Sequence, residues 1–181
     1  MKIKQLHNQK GFTFIELIVS IAIFGVITAM VMVNYRAGTR NDTVRQSANI
    51  TASMFKRAQT MTLTGALTAG AFPQGGYGVH FDEVDNNTMI LFADIDGNFA
   101  YTLAIDTDIE SINLPGNAIF EANEDPDSVG VLDVVFSSPD ADAYFNGSVV
   151  DPSKQISFSA RSSDASTMVI VYRLSGQIRV Q

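Results

Sequence analysis

Four groups of residues have types and spacings that could do chemistry. The first is a single carboxylate, Glu16, inside the uncharged apolar run Phe12 to Val33. A carboxylate surrounded by hydrocarbon either snorkels to the headgroups or needs a positive partner within the membrane. The second group is acidic: Asp94, Asp96 and Asn98 alternate, and Asp106, Asp108 and Glu110 alternate again. Alternating oxygens suggest a calcium loop, but an EF-hand would require glycine and glutamate where Phe99 and Ile105 stand. A turn around Asp96–Gly97 accounts for the first set better. The second set would share one face of a strand, where like charges repel, or lie in a solvated loop. No metal is expected, and Asp106, Asp108 and Glu110 are the candidates should one bind. The third group is basic: Lys154, Arg161, Arg173 and Arg179 near the carboxyl end could contact phosphates if the fold gathers them. The fourth is His80, the sole histidine after residue 7, placed in a strand-like stretch. No Ser/His/Asp set, nucleophile elbow or phosphate loop accompanies it, so neither catalysis nor a cofactor is expected.

Charge is segregated along the 181 residues. Lys2, Lys4 and Lys10 precede the apolar run, and Arg36, Arg40, Arg45, Lys56 and Arg57 follow it against a single Asp42. From Met61 to Ser153 there is no Lys or Arg, while Asp and Glu number sixteen. So acidic a middle disfavours a nucleic-acid groove across it. With no cysteine, disulfides, thiolate metal sites and lipidated cysteine anchors are excluded.

The elements that must position these residues begin with the apolar run. Its 22 residues would make a helix of about 33 Å, matching a bilayer core of roughly 30 Å. The run is too long for a signal-peptide core, and no small-residue cleavage site follows it. Lys and Arg counts on its two sides nearly tie. A short leader before it and a large acidic domain after it favour leader inside, domain outside. The macrodipole of the helix favours an anion in its first turn, where Glu16 sits.

The stretch "KGFTFIEL", with its short basic leader, the Gly11–Phe12 step, Glu16 at the fifth position after that step and a full-length span, resembles type IV prepilins and type II secretion pseudopilins. The resemblance implies cleavage after Gly11 by a prepilin peptidase and methylation of the new amine on Phe12. It implies that Glu16 of an incoming subunit pairs with the terminal amine of its neighbour in a filament. The implied partners are other pilins or pseudopilins, the prepilin peptidase and methyltransferase, an inner-membrane assembly platform and the lipid bilayer. Glycine suits such a cut because it places no side chain at the scissile bond and frees the backbone. The family's outermost tip subunits in secretion systems often lack the acid, so Glu16 argues against that position.

The helix is expected to continue to about Leu63. Val44, Ala48, Thr51, Phe55 and Ala58 form one stripe, with Ala52 and Met54 beside it, facing a core. Gly25 and Gly38 are weak points where it could bend. Thr64 to Gly76 is glycine-rich and ends it. Strand-like segments follow: Tyr77–Phe81 and Thr88–Ala93 as a hairpin, Phe99–Ile105, Ala118–Phe120, Val129–Phe136, Gln155–Ser159, Met168–Arg173 and Gln177–Val180, the last two joined at Ser175–Gly176. "MVIVY" is apolar on both parities and should be a central strand.

The reading is an α+β chain: a long helix, then a β-rich globular domain of two packed antiparallel sheets. Its expected divisions are a cleaved leader (1–11), a membrane half of the helix (12–33), an amphipathic half (34–63) and the β domain (64–181). The order "GYGVHF", "ILFADIDGNFAY" and "VYRLSGQIRV" is similar to the H-type minor pseudopilins and FimT-type minor pilins (the GspH/FimT family). That resemblance implies a pilin fold and a structural, non-enzymatic subunit of a secretion pseudopilus or a type IV pilus, anchored in the inner membrane. The rival is a DNA-binding minor pilin of an uptake pilus. The family's basic G-R-x-R motif would fall on Gly176 to Arg179, where Gln177 replaces the first arginine.

Overall fold

The computed structural model describes residues 12–181 apart from 83, 117, 123–129, 149–151 and 161–165. One helix, α1 (Phe14–Leu63), runs unbroken through Gly25 and Gly38, and nine strands follow it among the described residues. The chain divides into two compact units within α1, Met1–Thr39 and Arg40–Gln181.

In the first unit, Phe14–Met32 is long and apolar enough to cross a membrane, with mean hydropathy 2.5, and none of it is buried. Two hydroxyls in this segment are satisfied by the helix itself. Ser20 Oγ donates to the Glu16 carbonyl and Thr28 Oγ1 to the Phe24 carbonyl, both at 2.7 Å.

The second unit contains the rest of α1 and both sheets. β1 (Gly76–Asp82), β2 (Thr88–Asp94), β3 (Thr107–Asn113), β5 (Val131–Ser137) and β6 (Asp142–Phe145) form an antiparallel sheet in the order β3-β2-β1-β5-β6. β4 (Ala118–Ala122), β7 (Ser153–Ala160), β8 (Ser166–Tyr172) and β9 (Ile178–Val180) form a second, in the order β4-β7-β8-β9, also antiparallel. The stripe Val44, Ala48, Thr51, Ala52, Met54, Phe55 and Ala58 is buried, and Arg45, Lys56 and Arg57 lie on the exposed side. Phe55 meets Phe81 of β1 at 5.7 Å and Phe136 of β5 at 6.3 Å between ring centroids, and Phe81 meets Phe120 of β4 at 5.0 Å. Helix and both sheets thus share one aromatic core, worth far more by buried area than any surface contact. β8 is interior to its sheet, and Val169, Ile170 and Val171 are all buried, as expected of a strand covered on both faces.

Buried polar atoms secure the end of the helix. Thr62 Oγ1 donates to the Phe136 carbonyl (2.9 Å) and accepts from the Tyr77 N–H (3.2 Å), while Tyr77 Oη donates to the Ala66 carbonyl (2.8 Å).

Phe99–Ile105 is not a strand. It belongs to a strap, residues 95–106, that joins β2 to β3. Carboxylates capture its amides before a ladder can form: Gly97 and Phe99 N–H donate to Asp94 (2.7 and 2.8 Å), Tyr101 N–H to Asp133 (2.9 Å) and Thr102 N–H to Asp106 (2.6 Å). Phe99 and Ala104 have φ of 61° and 69°, outside the extended region. The strand that pairs with β2 is instead β3, whose polar sequence TDIESIN is that of an exposed edge.

Candidate functional site

The helix start is built by its own sequence. Thr13 Oγ1 accepts from the Glu16 N–H at 3.4 Å. Glu16 Oε2 accepts from the Thr13 N–H at 3.0 Å and from Thr13 Oγ1 at 2.9 Å. The Leu17 N–H reaches the Thr13 carbonyl at 3.3 Å, beginning the helical ladder. This is a reciprocal capping box: two amide donors that a helix start leaves without partners are satisfied by two side chains three residues apart. "TFIE" is the T-x-x-E signature of that motif, a signal in the sequence that the membrane reading of Glu16 passed over.

The box changes what Glu16 does chemically. Its carboxylate is held back over the helix start and is hydrogen-bonded there to Thr13. Phe12 itself is 84% exposed. A cation placed near Phe12 would meet an anion whose position is fixed by Thr13. Gly11 and the leader lysines Lys2, Lys4 and Lys10 lie outside the described residues.

The acidic residues sort differently from their spacing. Asp106, Asp108 and Glu110 are not one set. Asp106 accepts from the Ile95 and Thr102 N–H groups (2.9 and 2.6 Å). Asp108 accepts from Tyr101 Oη (2.9 Å), and Glu110 pairs with Arg57. A bulge in the β2–β3 register lies between Asp108 and Glu110. Asp106 instead joins Asp94 and Asp96, one carboxylate oxygen of each lying within 4.8 Å of the others. Asp94 is fully buried, and that burial, reinforced by the Asp106 charge, pushes its carboxyl up to about 6 despite the amides of Phe99 and Gly97. Each carboxylate is engaged, Asp96 with the Asn98 N–H and Nδ2 at 3.2 and 3.1 Å.

His80 is engaged within the fold. Its Nδ1 lies 2.7 Å from Asp133 Oδ1, and its ring lies 4.4 Å from that of Tyr101. Tyr101 also packs on Phe92 at 5.1 Å, and Phe99 stacks on Tyr144 at 4.1 Å, so the strap covers the face of the five-stranded sheet carrying His80 and Asp133. Gly78 makes room for this layer: a Cβ there would lie 2.8 Å from the Phe92 ring and from Val135. Burial and the Asp108 partner push the Tyr101 phenol up to about 12, keeping it a donor.

Of the basic residues, Arg179 is exposed on β9 opposite Ile170, whereas Arg173 is half-buried with its Nε enclosed. Arg173 lies just beyond the end of β8, where its N–H donates to the Pro152 carbonyl at 2.9 Å. Arg161 and the Lys154 side chain lie outside the described residues.

The family model for the prokaryotic N-terminal methylation motif matches residues 6–32. No curated protein and no solved structure matches the chain. The amino-terminal segment thus carries the methylation motif of type IV pilin-like precursors, on an apolar helix consistent with a single-pass membrane anchor.

Proposed function

We propose that this chain is a structural minor pilin or pseudopilin, not an enzyme. It is cleaved after Gly11, methylated on the Phe12 amine and assembled into a type II secretion pseudopilus or a type IV pilus, closest to the GspH/FimT branch. The leader faces the cytoplasm and the β domain lies beyond the inner membrane.

The observation that supports this reading is the capping box at the edge of Phe14–Met32, a segment that is otherwise uncharged and unburied. A protein that only needed an anchor would do better with an apolar residue at position 16, because an acid in hydrocarbon is costly. Here the acid is present and pre-oriented by Thr13, one residue from the end that cleavage would convert into a cation. Cutting after Gly11 removes the lysines yet leaves one positive amine at the membrane depth of Glu16, so assembly would pair the Glu16 of one subunit with the terminal amine of its neighbour. The same match to the methylation motif favours processing by a peptidase and contact with other pilins.

Co-expression of wild-type and Glu16→Ala chains with the complete assembly machinery tests it. The variant is expected to insert and to be cleaved, but to be absent from sheared filaments. Equal incorporation of both chains would contradict the assembly role of Glu16.

A further inference from the structure

β2 and β3 are antiparallel neighbours, and a hairpin of two to five residues would join them. The chain uses residues 95–106 instead and fixes them heavily. Three carboxylates, Asp94, Asp106 and Asp133, hold five strap amides between them, and two aromatic rings pin it to the sheet. Burying Asp94 and holding Phe99 and Ala104 at positive φ cost stability, which marks a conformation retained for use.

What this scaffold holds out to solvent is apolar. Leu103 is 78% exposed and Ile105 53%, with Ala104 between them at the turn and Ile95 partly exposed. The charges beside it in the chain are negative, with Asp96 and Asp108 exposed and Asp106 half-buried, and the cation that reaches β3 from the helix, Arg57, is already paired with Glu110.

We propose that Leu103–Ala104–Ile105 is a docking knuckle for a partner protein whose surface offers an apolar depression bordered by lysine or arginine. The apolar apex supplies the buried centre of such a contact and the acidic rim its orientation and encounter rate. The fastening of the strap removes most of the ordering cost that a loose loop would incur on binding. A lipid surface fits poorly, since anionic headgroups would repel the rim. This inference stands apart from the filament reading: a partner outside any filament would uphold it.

The test places a photoreactive amino acid at position 103 of the full chain in its native membrane. A control carries it at Val84, which is 93% exposed on the β1–β2 turn. A protein adduct is expected at 103 and not at 84, with the cross-linked peptide, identified by mass spectrometry, flanked by Lys or Arg. Ile105→Asp should lower the yield about tenfold or more while the melting temperature holds. Should that variant unfold, Ile105→Ser carries the same expectation. No adduct at 103, equal yields at 103 and 84, adducts to lipid alone, a partner peptide without cations, or an undiminished yield from the folded Ile105 variant would each overturn the proposal.

Discussion

The segment Phe14–Met32 and the unit Arg40–Gln181 solve opposite problems. The first buries none of its apolar side chains within the chain, yet satisfies its polar groups locally through the Thr13–Glu16 box and the Ser20 and Thr28 hydroxyls. The second buries its apolar residues in one core and spends buried carboxylates to hold a loop. A helix that meets only hydrocarbon has no solvent to complete its hydrogen bonds, so each donor must be paired from within. A domain in water can leave polar groups exposed and derives its stability from what it removes from solvent. The contrast is one of exposure: Phe14–Met32 leaves its apolar side chains uncovered, and the domain exposes apolar residues only at particular points.

The sharpest way to break this comparison is to remove matched aromatic bulk from each unit. Phe55→Ala should destabilise the domain by about 3–5 kcal/mol, read as a denaturant midpoint, because two ring contacts and their packing are lost. Phe24→Ala, on the unburied helix, should leave that midpoint unchanged. If both shift the midpoint equally, the contrast between the two segments fails.

A smaller effect sharpens the account of the strap. The Asp94 carboxyl is raised above the ordinary carboxylate value of about 3.9, so between that value and about 6 the folded state binds more protons than the unfolded state. Its contribution to stability therefore grows as pH falls through about 6 and levels off near the unfolded value. Melting of the wild type minus that of Asp94→Asn, followed from pH 7.5 to 5, should move in favour of the wild type by that rule. A difference independent of pH would show that Asp94 is not the group titrating.

Smaller again is the cap. Thr13→Ala should cost the helix start about 1 kcal/mol and Thr13→Ser much less, seen as faster amide exchange over the first turn in micelles. The smallest effect belongs to the Arg57–Glu110 pair, whose side chains are 52% and 37% exposed. Glu110→Ala should change stability by no more than about 0.5 kcal/mol, within what surface ion pairs contribute.

The helix, its buried stripe, the β1–β2 hairpin and the last hairpin were legible in the sequence, because period and turn chemistry are local signals. Residues 99–105 were not. Their composition is strand-like, and what overrules it is a carboxylate, Asp133, more than thirty positions away, acting with Asp94 and Asp106. β3 was missed because an edge strand needs no apolar alternation and carries charge instead. At the site, Glu16 was found by its incongruity, while Thr13 was overlooked although T-x-x-E was in plain view. The grouping of Asp94 with Asp106 rests on how the strap folds back and leaves no local trace.

The central claim is that the amino-terminal helix is a processed assembly device and not a plain anchor. Intact-mass and terminal-peptide analysis of the chain recovered from cells with a prepilin peptidase and methyltransferase tests it most directly. The account predicts a mature chain that begins at Phe12 and is heavier by one methyl group on its terminal amine. A chain that keeps residues 1–11, or is cut at any other bond, would contradict it.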